Sequence, residues 1–166
     1  LHNTPLNPQQ RRFTDAVYQS GEHLLSLIND VLDFSKIEAG KLEIESINFS
    51  LRQLVEDVGY LCARTAEAKG LEMVCILPYD LPLTLKGDPV RVRQILTNLV
   101  GNAIKFTHHG EIVIRVCLMH ENAQQARVRF EVQDTGIGID KALHCRVFSA
   151  FGQADSSTTR RYGGTG

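Results

Sequence analysis

At 166 residues, with 43% apolar and 22% charged side chains and a formal net charge of -1, the chain suffices for one full domain plus a short appendage and can bury a core without covalent staples. The balanced charge does not suggest nucleic-acid binding through a basic face; no run reaches the ~20 apolar residues that span a bilayer, and the N-terminus lacks a leader's basic and apolar regions. Cys62, Cys75, Cys117 and Cys145 form no C-x-x-C pair, so a reducing compartment and no zinc site are expected.

Residues 1–8, with two prolines and two asparagines, read as a loop, after which residues 9–39 carry one helical pattern. Val17, Leu24, Leu27, Val31 and Phe34 form a near-heptad seam that Phe13, Leu25, Ile28 and Leu32 widen. One helix cannot bury that surface alone, so it is expected to pair in a bundle or dimer. Gly40 is the stop signal. Residues 41–48 alternate loosely and predict a linker strand. Ser50 is the expected N-cap of a helix to about Ala68, with Leu51, Leu54, Val55, Val58, Leu61 and Cys62 inward and Gly70 ending it. Residues 71–77 predict a strand, 78–82 a turn, and 83–86 another short strand.

Residues 88–107 predict the helix that carries the chemistry. Asp88 offers an N-cap oxygen, Pro89 fits the first helical position, and Val92, Ile95, Leu96, Leu99, Ala103 and Phe106 are the expected core face. Asn98, Asn102 and Lys105 share a second stripe, with Arg91 one repeat earlier. Two readings stand: an ordinary solvated face, or a seat for a metal-bound polyphosphate, since amide oxygens ligate hard cations and lysine suits phosphate. Residues 111–118 and 127–133 predict an antiparallel hairpin closed by a polar loop at 120–125. Helices on one face of a mixed sheet are expected, an α/β sandwich.

Asp134, Gly136 and Gly138 then form D-x-G-x-G at a strand end, where a carboxylate can accept from an exocyclic amine and glycines permit close approach. Alone, the pattern is also that of many turns. Residues 148–166 place Phe148 and Phe151 before a polar, basic segment and the run Gly163, Gly164, Gly166. This reads either as a lid over a ligand or as a polar tail.

These motifs in this order resemble the sensor histidine kinases of two-component systems, especially hybrid kinases. N-L-x-x-N-A-x-K-F-T from Asn98 resembles their N box, D-T-G-I-G-I from Asp134 the first glycine box, F-x-x-F-x-Q from Phe148 the F box, and R-Y-G-G-T-G from Arg161 the second glycine box; L-D-F-S-K-I-E-A-G-K-L from Leu32 resembles the junction behind their dimerisation helices. The resemblance implies an α+β, two-layer Bergerat ATP-binding fold over residues 46–166, broken off within its last glycine box, preceded over 1–45 by the second dimerisation-type helix and a linker. It implies a protein-histidine kinase core that moves the γ-phosphoryl of ATP to a histidine for relay to a receiver aspartate. In that scheme Asn102 ligates Mg²⁺, Asn98 supports the metal or phosphate end, and Lys105 contacts phosphate. Phe106 flanks the base, Asp134 receives the adenine amine, and Gly136 and Gly138 give the base room. Gly164, Thr165 and Gly166 hold phosphates under a lid containing Arg160, Arg161 and Tyr162.

The H-E-x-x-T-P acceptor motif is absent: His2 has the wrong spacing, and His23 lies on what resembles the second helix of the pair. The acceptor histidine is therefore expected upstream, and the fragment alone is expected to be inactive in phosphotransfer. The implied partners are a second copy through residues 9–39, an upstream helix, and a receiver domain in cis or in trans; the implied location is cytoplasmic, with the parent anchored in the inner membrane. A gyrase- or chaperone-like ATPase is the alternative within enzymes, disfavoured because Asn98 stands where those relatives place a water-activating glutamate. A non-catalytic dimerising regulator is the alternative outside them.

Overall fold

The computed structural model describes residues 4, 6–82 and 84–144. The chain divides after Glu43 into a helical unit and a mixed α/β unit that starts at Ile44.

The helical unit is α1 (Pro8–Glu38), whose N-cap Asn7 accepts from the Gln10 amide while the Gln10 side chain accepts from the Asn7 amide. This reciprocal box satisfies two orphan donors and fixes the helix start. Ala39 caps the other end, and Gly40, at φ +62°, turns the chain out of the helix. Phe13, Val17, Leu24, Leu25, Ile28, Val31 and Leu32 are exposed along α1, so the widened seam stands open.

The second unit follows in the order β1 (Ile47–Phe49), α2 (Leu51–Glu67), β2 (Leu71–Ile76), β3 (Leu85–Gly87), α3 (Pro89–Phe106), β4 (Gly110–Glu121), β5 (Ala126–Asp134) and a short 3₁₀ turn at Lys141–Leu143. The expected linker strand shrinks to β1, which pairs antiparallel with β3. β2 lies parallel to β4 and β4 antiparallel to β5, giving the mixed sheet β2-β4-β5. Asn122 closes the β4–β5 hairpin by accepting from the amides of Gln124 and Gln125, which is why the turn is tight and polar.

Alternation decides which face of the sheet is dry. Ile112, Ile114 and Val116 are essentially inaccessible, and register places Met73 and Asp134 beside Ile112, Cys75 and Val132 beside Ile114, and Phe130 beside Val116. On the other face Arg115 lies opposite Glu131, which also takes Arg129 at 2.9 Å. Both helices pack on the dry face. α2 buries Leu51, Leu54, Val55 and Val58 there, with Ser50 as N-cap. A side-chain carbon at Gly59 would come within 2.6 Å of Cys75 Sγ, so glycine sets how closely α2 approaches β2. Leu61, expected inside, is exposed because the buried stripe runs through Val58, Cys62 and Ala66.

α3 corrects the sequence reading more deeply. Its buried residues are Leu96, Val100, Ala103 and Ile104, whereas Ile95 is 59% and Leu99 44% exposed. Asp88 is the N-cap, accepting from the Arg91 amide at 3.0 Å through one oxygen and from the Glu45 amide at 3.1 Å through the other. It therefore ties the segment before β1 to the start of α3. The bond from Arg91 outweighs the cost of burial, and with the Glu45 bond it holds the Asp88 carboxyl below its usual range. A depressed carboxyl stabilises the fold at neutral pH and loses that contribution as pH falls through its folded value. Asp88→Asn keeps a cap oxygen but cannot accept both amides. Melting curves across acid pH are expected to start lower and to fall less steeply than those of the parent.

Candidate functional site

The site gathers where the C-terminal half of α3 meets the end of β5. Asn98 and Asn102 are exposed one turn apart on α3, and their side chains make no hydrogen bond to another described residue. The apolar side chains beside them, Ile95 and Leu99, face outward too. Lys105 lies half-buried with its ammonium 5.0 Å from the centre of the Phe106 ring, a cation–π contact that couples the two positions. Arg91 donates to Gln94 at 2.8 Å.

Asp134 is the last residue of β5 and sits in register with fully buried Ile112. It thus ends an otherwise apolar row on the helix-facing side of the sheet and is itself exposed. Its Oδ1 accepts from the Gly136 amide at 2.8 Å. That turn orients the carboxylate and leaves Oδ2 without a described partner. Thr135 locks the other side of the turn: its hydroxyl donates to the His109 carbonyl and accepts from the Glu111 amide.

Gly136 is required by packing. A carbon added there would lie 2.6 Å from the Phe106 carbonyl oxygen, 2.8 Å from Asp134 Oδ1 and 2.9 Å from Thr107 Oγ1. The Ile137 amide completes the junction by donating to the Phe106 carbonyl at 3.3 Å. Gly138, at φ +68° with open space around it, is needed for its backbone angle instead. Gly136→Ala is therefore expected to push the turn off α3, costing about 1–3 kcal/mol of stability and most of any ligand affinity. Thermal melts and binding titrations read both, and wild-type values in either would contradict this packing.

Thr107 was not singled out as a site residue from sequence. It is fully buried, and its hydroxyl has no hydrogen-bond partner among the described residues. A buried hydroxyl left unpaired costs free energy, so one aimed beside Gly136 and Asp134 fits a position completed by water or ligand. Its place after the N-L-x-x-N-A-x-K-F run was the available signal.

The donor set does not make a self-sufficient metal centre: no cluster of three His, Cys, Asp or Glu side chains occurs among the described residues. Two neutral amides fit Mg²⁺ that arrives with phosphate oxygens, because magnesium commonly takes only one or two protein ligands and fills its octahedron from phosphates and water. Of the other expected site residues, Arg160, Arg161, Tyr162, Gly164, Thr165 and Gly166 lie outside the described residues, as do Phe148, Phe151 and Cys145. Among the described residues no helix is long and apolar enough to cross a membrane.

Residues 87–166 match the family described as histidine kinase-, DNA gyrase B- and HSP90-like ATPase, and residues 1–40 match the His Kinase A (phospho-acceptor) domain. Sensor protein GacS of Pseudomonas syringae pv. syringae is 50% identical over 166 residues, which is 100% of this chain and 18% of that protein. Signal transduction histidine-protein kinase BarA of Escherichia coli (strain K12) is 48% identical over 98% of this chain and 18% of its own length. The chain thus spans less than a fifth of these relatives. Full-length ShkA, solved in complex with AMPPNP, superposes with a TM-score of 0.74 at 37% identity, over 96% of this chain and 33% of that one. A nucleotide-free catalytic domain of histidine kinase ThkA gives 0.57 at 28% identity, over 64% of this chain and 69% of that one. Because named kinases align with both matched segments in one continuous stretch, the chain belongs to the sensor histidine kinase family.

Proposed function

We propose that this chain is the nucleotide-binding core of a protein-histidine kinase, which takes the γ-phosphoryl of Mg-ATP to a histidine for relay to a receiver aspartate. The observation that carries the reading is the junction of α3 with β5, where a carboxylate oxygen, an orphaned hydroxyl and a side-chain-free glycine meet at one end of a stripe of exposed amides. An adenine ring fits the first group, its exocyclic amine donating to Asp134 Oδ2. Its phosphates then run toward Asn98, Asn102 and Lys105.

Magnesium, when bound, supplies charge neutralisation on the phosphates. Asn102 would hold it, Asn98 would support it, and Lys105 would bring a cation to the phosphate oxygens. Among the described residues the site has no obvious nucleophile of its own, which suits phosphoryl transfer to another group, since such transfer needs positioning and charge neutralisation from the enzyme. An amide at Asn98 cannot take a proton from water, so hydrolysis is the weaker use of the same site.

Residues 46–166 are the proposed ATP-binding domain, with Gly164, Thr165, Gly166, Arg160, Arg161 and Tyr162 serving its phosphate side. Residues 1–45 are the proposed second dimerisation helix and linker. The open seam of α1 fits a four-helix arrangement between two copies, each with an upstream helix. A receiver domain is the expected partner in relay, and the unit is expected on the cytoplasmic side of a membrane-anchored parent. The test is calorimetric titration with ATP and magnesium, followed by transfer of labelled γ-phosphate to a histidine-bearing dimerisation domain added in trans. Binding with transfer supports the proposal; labelled inorganic phosphate without transfer supports the ATPase alternative, and no binding overturns both.

A further inference from the structure

The last carbonyls of α3 are satisfied from three directions. The Thr107 amide takes the Ala103 carbonyl and the Ile137 amide takes that of Phe106, while Lys69 Nζ donates to the Ile104 carbonyl at 2.8 Å and to the Lys105 carbonyl at 3.4 Å. Orphan carbonyls and the negative end of the helix dipole both favour a cation there. Lys69 is unusually well placed to supply one. Its amide donates to the Ala66 carbonyl, the next residue Gly70 turns at φ +71° and donates to the Glu67 carbonyl, and Leu71, 95% buried, begins β2 in register with Gly110. The lysine stem therefore leaves a backbone held on both sides.

Of the two carbonyls it grips, one belongs to the site residue Lys105 and the other to buried Ile104 just before it. Lys105 carries the ammonium stacked on Phe106, and the Phe106 carbonyl receives Ile137 beyond the Asp134–Gly136 turn. We propose that Lys69 is a positioning residue: it clamps the end of α3 from the α2 side while the turn after β5 clamps it from the other, setting the gap between Lys105 or Phe106 and Asp134. This rests on the nucleotide reading given above.

The test compares K69M and K69R with the parent by calorimetry with ADP, by melting temperature, and by amide resonances of Thr107 and Ile137. K69M is expected to weaken ADP binding about tenfold and to shift both amides, with a small change in melting temperature; K69R, which can reach the same carbonyls, is expected to restore affinity and shifts. Unchanged affinity in K69M overturns the proposal. So does a loss that K69R fails to rescue and that tracks melting temperature, because that pattern marks stability alone. If the parent binds no nucleotide, the functional reading fails instead, and the two amide resonances alone decide the clamp: shifts in K69M reversed in K69R support it, and none overturns it.

Discussion

Asn102→Ala is expected to abolish the dependence of nucleotide binding on magnesium. In the parent, ATP affinity should rise as Mg²⁺ is titrated in; in the variant the titration should be flat, with ATP bound about 100-fold more weakly at saturating metal, the scale of a lost metal-site contact. Asn102 is exposed on α3 and its side chain makes no hydrogen bond to another described residue, so its truncation leaves no buried group unpaired and the melting temperature should hold. Adenosine, which carries no phosphate, is the control: its affinity should be unchanged. A variant that keeps the parental response to magnesium would remove Asn102 from the metal, and equal loss for adenosine would place it against the base.

The second large effect is expected at Asp134, where asparagine is more informative than alanine. Asp134→Asn keeps an oxygen for the Gly136 amide, so the turn should survive. It replaces the other oxygen with an N–H₂ donor, which then faces the adenine amine, donor against donor. Losing a hydrogen bond to a charged group costs about 1.5–3 kcal/mol, and the unpaired donor adds to it, so affinity should drop by roughly 100-fold or more. Because the contact is to the base, ATP, ADP and adenosine should lose equally, unlike the phosphate-dependent loss at Asn102. Weakening confined to ATP would contradict this geometry, and an unchanged Kd for all three would place the base elsewhere. Asp134→Ala removes the turn acceptor as well, so it should lower melting temperature along with affinity. Comparing the two substitutions separates binding from folding.

The pair also bears on how the site is built. Asn102 lies on a helix surface, so its proposed contribution depends on where α3 sits; Asp134 lies at a strand end fixed by register with Ile112. Anything that rotates or slides α3 changes the proposed metal end relative to the proposed base end. The Asp88 cap, the Lys69 contact and the Ile137 amide resist that motion at the two ends of the helix.

The sequence by itself determined the order of the elements and most of their bounds, and it singled out the residues proposed to carry the chemistry. Local rules suffice there: Ser50, Asp88 and Pro89 start helices because of what their own side chains and rings can do, and alternation through Ile112, Ile114 and Val116 needs no neighbour to be read. The motif order then identified the family. Only the tertiary structure decided which face of α3 is dry. Apolar residues occupy Val92, Ile95, Leu96, Leu99, Val100, Ala103, Ile104 and Phe106, so much of the circumference qualifies, and periodicity alone admits more than one buried stripe. Packing on α2, β4 and β5 chose Leu96, Val100, Ala103 and Ile104, and turned Ile95 and Leu99 outward beside the amides. Thr107 and Lys69 were hidden for a related reason. A threonine's orphaned hydroxyl and a lysine's hold on carbonyls 35 and 36 residues away exist only once distant segments meet.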